Sequence, residues 1–387
     1  MYQIRIIKFL LVIGLLIPSC ITPFQPDIPP EAVNKYVVFG QVNDNSEYHT
    51  VTISMASPVS DPQYSPVSGC SVRISDDNGN QFTLQESLTE PGVYSAHIGS
   101  QYLAVGKSFK VDIITQDGTA IESDYDRIPP CPEVGEVYYE LDEIISEFTG
   151  QPEKGIRFYT DLDAGNLESR FFKWNVTETW EYRVDYPREW YYDGTVHHIY
   201  PPDYSRKVCW STEKIKEIYT LSTSDLNANI YSKFPLNFVS SRTSRLIYGY
   251  SLLIEQSALS EEAYSFWDQM RINSTGLGGL YERQPLSITG NLHNKTDPDK
   301  EVLGFFGASS VRSKRIFISS VPDLPIEYVG YCTPVLLEHG FAELSPSDYP
   351  AWLMGDKERY YMTLLSNDCV DCLYYGGINI KPDFWPY

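Results

Sequence analysis

Short alternating runs of residues, separated by tight-turn signals, constrain this chain more than any other feature. Val51, Ile53 and Met55 alternate with polar residues, as do Val72 and Ile74, Phe82 and Leu84, and Phe109, Val111 and Ile113. A period of two puts one face of each run in a core and the other in solvent, which is the pattern of a half-buried strand. Between the runs lie Asp76-Asp77-Asn78-Gly79-Asn80, Pro91-Gly92 and Asp117-Gly118, residues suited to hairpin turns. Residues 36–128 therefore read as an immunoglobulin- or prealbumin-like β-sandwich of about seven strands. Pro129-Pro130-Cys131-Pro132 then breaks the pattern and marks a boundary.

Residues 133–387 read as a larger β-rich domain with at least one packed helix, so the whole chain is expected to be mainly β. Phe172, Trp174 and Val176 share one face of a long strand that Trp180 and Tyr182 continue. Ser260 is placed to cap a helix, Glu261 and Glu262 suit its positive first turn, and Leu259 can staple to Tyr264. Ala263, Phe266, Trp267 and Met270 follow at helical spacing, the signature of a core-facing stripe. Residues 273–279 are small and polar enough to end that helix, and strands are expected near 302–307 and 315–319.

The segment 183–208 breaks the core pattern. Tyr186, Trp190, Tyr191, Tyr192, Tyr200 and Tyr204 sit there among Pro, Asp and Gly. It reads as a long aromatic loop or hairpin extension, and its aromatics are candidates for a binding surface. The competing reading is that they pack on their own sheet. His197-His198 in the same segment, near Asp193 and Asp203, is a candidate metal site. Adjacent side chains on a strand point to opposite faces, so exposed polarity is the expected outcome.

The N-terminus carries an address. Arg5 and Lys8 precede an apolar run from Phe9 to Ile17, then Pro18, Ser19 and Cys20. The run is far shorter than the ~20 residues a spanning helix needs. Residues 1–19 are read as a lipoprotein signal peptide, Cys20 as the lipidated residue, and 20–35 as a proline-rich tether. With 51 Asp and Glu against 30 Lys and Arg, the net charge is −21. Such a chain is repelled by nucleic acid.

Six further cysteines remain: Cys70, Cys131, Cys209, Cys332, Cys369 and Cys372. In an oxidising compartment they are expected to form disulfides, whose pairing spacing alone leaves open. Cys369-x-x-Cys372 has three readings: half of a zinc site completed by Cys332 and Cys209, a redox pair, or two structural disulfide partners. Outside the cytoplasm the structural reading is favoured. No Gly-x-Ser-x-Gly elbow or His-Glu-x-x-His pair occurs, and Gly276-x-Gly278-Gly279 lacks the Lys-Ser/Thr of a phosphate loop. No catalytic residue and no cofactor are assigned.

Several blocks carry a resemblance. They are Cys20, Pro23, Phe24, Pro26, Asp27 and Ile28; Leu259 to Tyr264; Gly290-Asn291-Leu292; Val302 to Ser309; and Cys369-Val370-Asp371-Cys372 with Lys381 to Trp385. Their order and spacing resemble domain-of-unknown-function family 4249, lipoproteins of the Bacteroidota. The resemblance implies an accessory lipoprotein beside a TonB-dependent outer-membrane receptor, anchored by its lipid at the outer membrane on either face. It brings no catalytic residues. The expectation is a non-catalytic partner in nutrient or metal uptake. The alternatives are an envelope enzyme such as a glycan hydrolase, or a structural or adhesive surface lipoprotein.

Overall fold

The computed structural model describes residues 35–57, 63–146, 149–275, 288–328, 330, 332–355 and 363–386. Residues 1–19 read as a signal peptide, Cys20 read as the lipidated residue, the expected tether as far as residue 34 and the glycines at 276–279 lie outside them.

The protein is mainly β. The turn residues act as their chemistry dictates: Asp76 Oδ1 accepts from the backbone N–H of Asn78 (3.0 Å) and Asn80 (2.8 Å), and Gly79 adopts φ +86°. The strands Ser71–Asp76 and Gln81–Glu86 are thereby set in antiparallel register, with Val72 opposite Leu84. The N-terminal sandwich encloses Val38, Val51, Ile53, Ile74, Phe109 and Val111 in one apolar core. Two very short strands, Ser65–Pro66 and Asp126–Arg127, add to the ones expected there.

Downstream residues return to this first core. The expected strands near 302–307 and 315–319 are one uninterrupted strand, Leu303–Ile318, because its apolar residues face two different cores along its length. Its first half pairs in parallel with Tyr36–Asn43, and its second half pairs antiparallel with Tyr250–Leu259. Phe306 and Ala308 fill the sandwich core, as do Leu292 and Val302. Gly40 makes the close approach possible: a Cβ there would come within 2.9 Å of both the Phe306 ring and Val51.

One hydrogen-bonded sheet consequently runs from the sandwich into the second core, through Tyr36–Asn43, Leu303–Ile318, Tyr250–Leu259 and Phe171–Arg183. A three-stranded sheet (Val137–Ile145, Pro152–Asp163, Ile230–Ser240) covers that second core. Inside it Trp174 stacks on Phe234 at 4.4 Å and Phe158 on Tyr250 at 5.5 Å. Gln256 ties in the proline-rich boundary: its Oε1 accepts from Trp174 Nε1 (3.0 Å) and its Nε2 donates to Pro132 O (2.9 Å).

The helix is Glu261–Thr275, and Ser260 caps it by accepting from Ala263 N–H at 3.1 Å. Ala263, Phe266, Leu259 and Phe305 form a third apolar cluster, against which Tyr264, Trp267, Met270 and Phe39 pack. Among the described residues no helix is long and apolar enough to cross a membrane.

Candidate functional site

The aromatic segment is a hairpin. Arg188–Tyr192 and Val196–Asp203 pair antiparallel, and Ala351–Leu353, Thr363–Leu365 and Val335–Leu336 extend them into a separate five-stranded sheet. Cross-strand partners stack, as directly opposed aromatics do. His198 lies on Trp190 at 3.7 Å with rings 6° apart, and His197 on Tyr191 at 4.6 Å. Tyr192 stacks on Phe341 at 4.3 Å. Trp190, Tyr191 and Tyr192 are half-buried, and Tyr186 packs on the cluster of Leu365, Cys369 and Val370. Tyr200 and Tyr204 stand out, 84% and 59% exposed.

The two histidines point to opposite faces, as strand geometry requires. His197 Nε2 meets Asp193 Oδ1 at 2.8 Å and Thr195 Oγ1 at 2.9 Å, while His198 Nε2 is 3.4 Å from Glu189. The His197 contact holds the Asp193 carboxyl below its usual range. Among the described residues no group of three or more His, Cys, Asp or Glu side chains is placed to hold a metal ion.

Of the two bridges made by the four downstream cysteines, one ties the tail that follows this sheet to the body strand Val208–Lys214, and the other lies within the sheet's own apolar cluster. Cys369 pairs with Cys332 and Cys372 with Cys209. The two cysteines of the Cys-x-x-Cys element therefore bond to distant partners instead of to each other, which displaces the redox-pair and zinc readings. Cys70 and Cys131 depart from the expectation that all six would pair: both are thiols. Cys131 is buried, donates to Gln256 O at 3.4 Å, and burial pushes its thiol up to about 11. Around the disulfides, Asp371 pairs with Arg188 and, at 3.7 Å, with Arg206. Tyr182 Oη donates to Cys372 O, and Trp210 and Ile378 exchange backbone hydrogen bonds. Arg188 also lies 4.8 Å over the Trp352 ring, so one guanidinium joins tail, hairpin and small sheet.

A second site was not legible in the sequence. A cleft of about 330 Å³ opens where the helix crosses the continuous sheet. Its floor is one sheet face, set by register: Thr52 opposite Phe39, Phe39 opposite Phe305, Lys173 opposite Ser257. Trp267 and Ala263 of the helix form a wall. Lys173 Nζ lies 4.0 Å over the Trp267 ring and donates to Asn175 Oδ1 at 3.0 Å. Burial, with Lys214 nearby, lowers its ammonium to about 8. Asp126 is buried, and that burial raises its carboxyl to about 6. Its oxygens accept from the N–H groups of Ala308 (2.7 Å) and Arg127 (3.1 Å). Titratable groups shifted by burial inside a cleft are a physical mark of a binding site. The one sequence signal was polar Lys173 and Asn175 on the reverse face of the Phe172-Trp174-Val176 strand. It says nothing about Ser257 or Phe305, which the topology brings beside them.

A mainly β body with an appended, disulfide-pinned aromatic sheet is thus the architecture to be placed among known proteins. The chain belongs to the family described as domain of unknown function DUF4249, whose sequence profile matches residues 21–315. The matched region contains the cleft and the hairpin, whereas Cys332, Cys369 and Cys372 fall beyond it. No curated protein matches the sequence. Among solved structures, a DUF4785 family protein from Legionella pneumophila aligns at 12% identity over 57% of this chain and 51% of that one, with a TM-score of 0.17. This chain thus spans about half the length of that protein. Similarity at that level supports no inference about this chain.

Proposed function

We propose that the protein is a lipid-anchored, non-catalytic binding protein of the cell envelope that works beside an outer-membrane TonB-dependent transporter in nutrient or metal uptake. The observation that carries this reading is the build of the aromatic sheet. Its Trp, Tyr and His rings are already stacked in place, the Cys332–Cys369 bridge and the Arg188–Asp371 ion pair brace it, and the Cys209–Cys372 bridge holds its tail to the body. Side chains ordered in advance lose little entropy on docking, and Trp and Tyr dominate interface energies. The signal segment ending in Cys20 and the family resemblance supply the address and the neighbour. A lipid tether confines the search for a partner to the membrane plane and raises the effective concentration.

The test is a pull-down of the tagged, lipidated protein from native outer membranes in mild detergent, followed by mass spectrometry. A TonB-dependent receptor recovered in near-equal amount is the expected result. A Tyr200→Ala/Tyr204→Ala variant present at normal membrane levels should lose it. Failure to recover a receptor, under conditions that preserve a known transporter complex, sinks the proposal and returns the glycan-cleaving and adhesive readings to the front.

A further inference from the structure

The cleft between the helix Glu261–Thr275 and the continuous sheet is lined by more basic than acidic side chains, two lysines against one aspartate. Lys173 and Lys214 both line it. Among the described residues neither makes an ion pair, although Glu255 is near enough to act on Lys173, in a chain where Asp and Glu outnumber Lys and Arg 51 to 30. Lys173 spends one N–H on Asn175 Oδ1 and lays its charge on the Trp267 face, which leaves donor capacity facing the cleft. Two like charges held near each other cost free energy that an anion between them relieves. Asp126 also lines the cleft, but it makes no ion pair with either lysine and directs its oxygens to the N–H groups of Ala308 and Arg127.

The remaining walls narrow the class of anion. Thr50, Ser257 and Ser309 offer hydroxyls and Gln41 an amide, whereas Phe39 and Phe305 offer apolar faces. Gln41 Nε2 already donates to Ser309 Oγ at 2.5 Å, so the pair is prepositioned across neighbouring strands. The volume, about 330 Å³, sits at the small end of the ~300–1,000 Å³ range of small-molecule sites. An inorganic ion would leave the hydroxyl floor and aromatic walls unused.

We propose that this cleft binds a small hydroxylated carboxylate of the sugar-acid class, its carboxylate between Lys173 and Lys214 and its hydroxyls on the Gln41, Thr50, Ser257 and Ser309 floor. The site belongs to the body of the protein and stands independently of the transporter partnership.

The experiment is calorimetric titration of the full chain with glucuronate, galacturonate and gluconate, with methyl glucoside as the uncharged control. At least one acid is expected to bind saturably at millimolar or lower concentration, and more weakly as salt rises, while methyl glucoside does not bind. Lys173→Met, which keeps the stem on Trp267, should weaken binding at least tenfold. Lys214→Met, at an exposed position where folding is not at stake, should weaken it several-fold. Lys300→Met, far from the cleft, should leave it unchanged. The proposal is overturned if none of the three acids binds, if methyl glucoside binds as well as they do, or if both cleft variants bind like the parent.

Discussion

Two buried residues give the protein opposite responses to acid. His49 is 1% exposed in the strand Tyr48–Met55, and burial lowers its imidazole to about 4. Folded protein keeps it neutral, whereas the unfolded chain protonates it below about 6.5. Its contribution to stability is therefore present above that value and is lost as pH falls toward 4, by about 2 kcal/mol at pH 5. Asp126 runs the other way. Its carboxyl, raised to about 6 by burial, holds its proton better when folded, so it adds stability as pH falls through 6. Urea denaturation at pH 7 and pH 5 separates the two: His49→Leu should lose less stability on acidification than the parent. An equal loss would remove His49 as the sensor. Neither group was recognisable from sequence. His49 occupies an ordinary alternating position, and Asp126 is buried only because the distant Ala308 strand closes over it.

The clearest sequence signals belonged to the single elements. The cap at Ser260, the turn at Asp76–Asn80 and the stripe Ala263-Phe266-Trp267 are local, since each depends on residues within a turn or two of chain. Ser260→Ala should cost about 1 kcal/mol, measured by chemical denaturation. The aromatic segment was legible as a hairpin extension, but its partner strands Ala351–Leu353 and Thr363–Leu365 were not, being too short to carry a pattern. Cysteine pairing was likewise beyond spacing arguments. Replacing Cys209 and Cys372 with serine should lower stability by about 2–4 kcal/mol, because that bridge closes a loop across 163 residues of sequence. The same variant should become sensitive to limited proteolysis between residues 372 and 386, with the sandwich untouched. Cleavage throughout the chain would mean instead that the bridge supports the second core as a whole.

Across the whole molecule, the chain order of the two β-rich parts is legible in sequence, but their interdependence is not. Leu303–Ile318 begins in one core and ends in the other, and only its pairing with Tyr36–Asn43 reveals this. Leu292, Val302 and Phe306 each bury side chains worth ~1.5–3 kcal/mol in the sandwich. A fragment of residues 36–128 alone should therefore lack a cooperative melting transition, whereas the full chain has one. A cooperatively folded fragment would show that the returning strand is dispensable. The same pairing has a mechanical consequence. Tyr36–Asn43, the strand that continues the N-terminal segment, lies in the middle of the sheet, in register with Tyr48–Met55 on one side and Leu303–Ile318 on the other. Tension entering at residue 35 runs along that strand and loads both ladders in shear. Their rungs must then yield together instead of unzipping one by one, so the molecule is toughest at the point where a leash would pull.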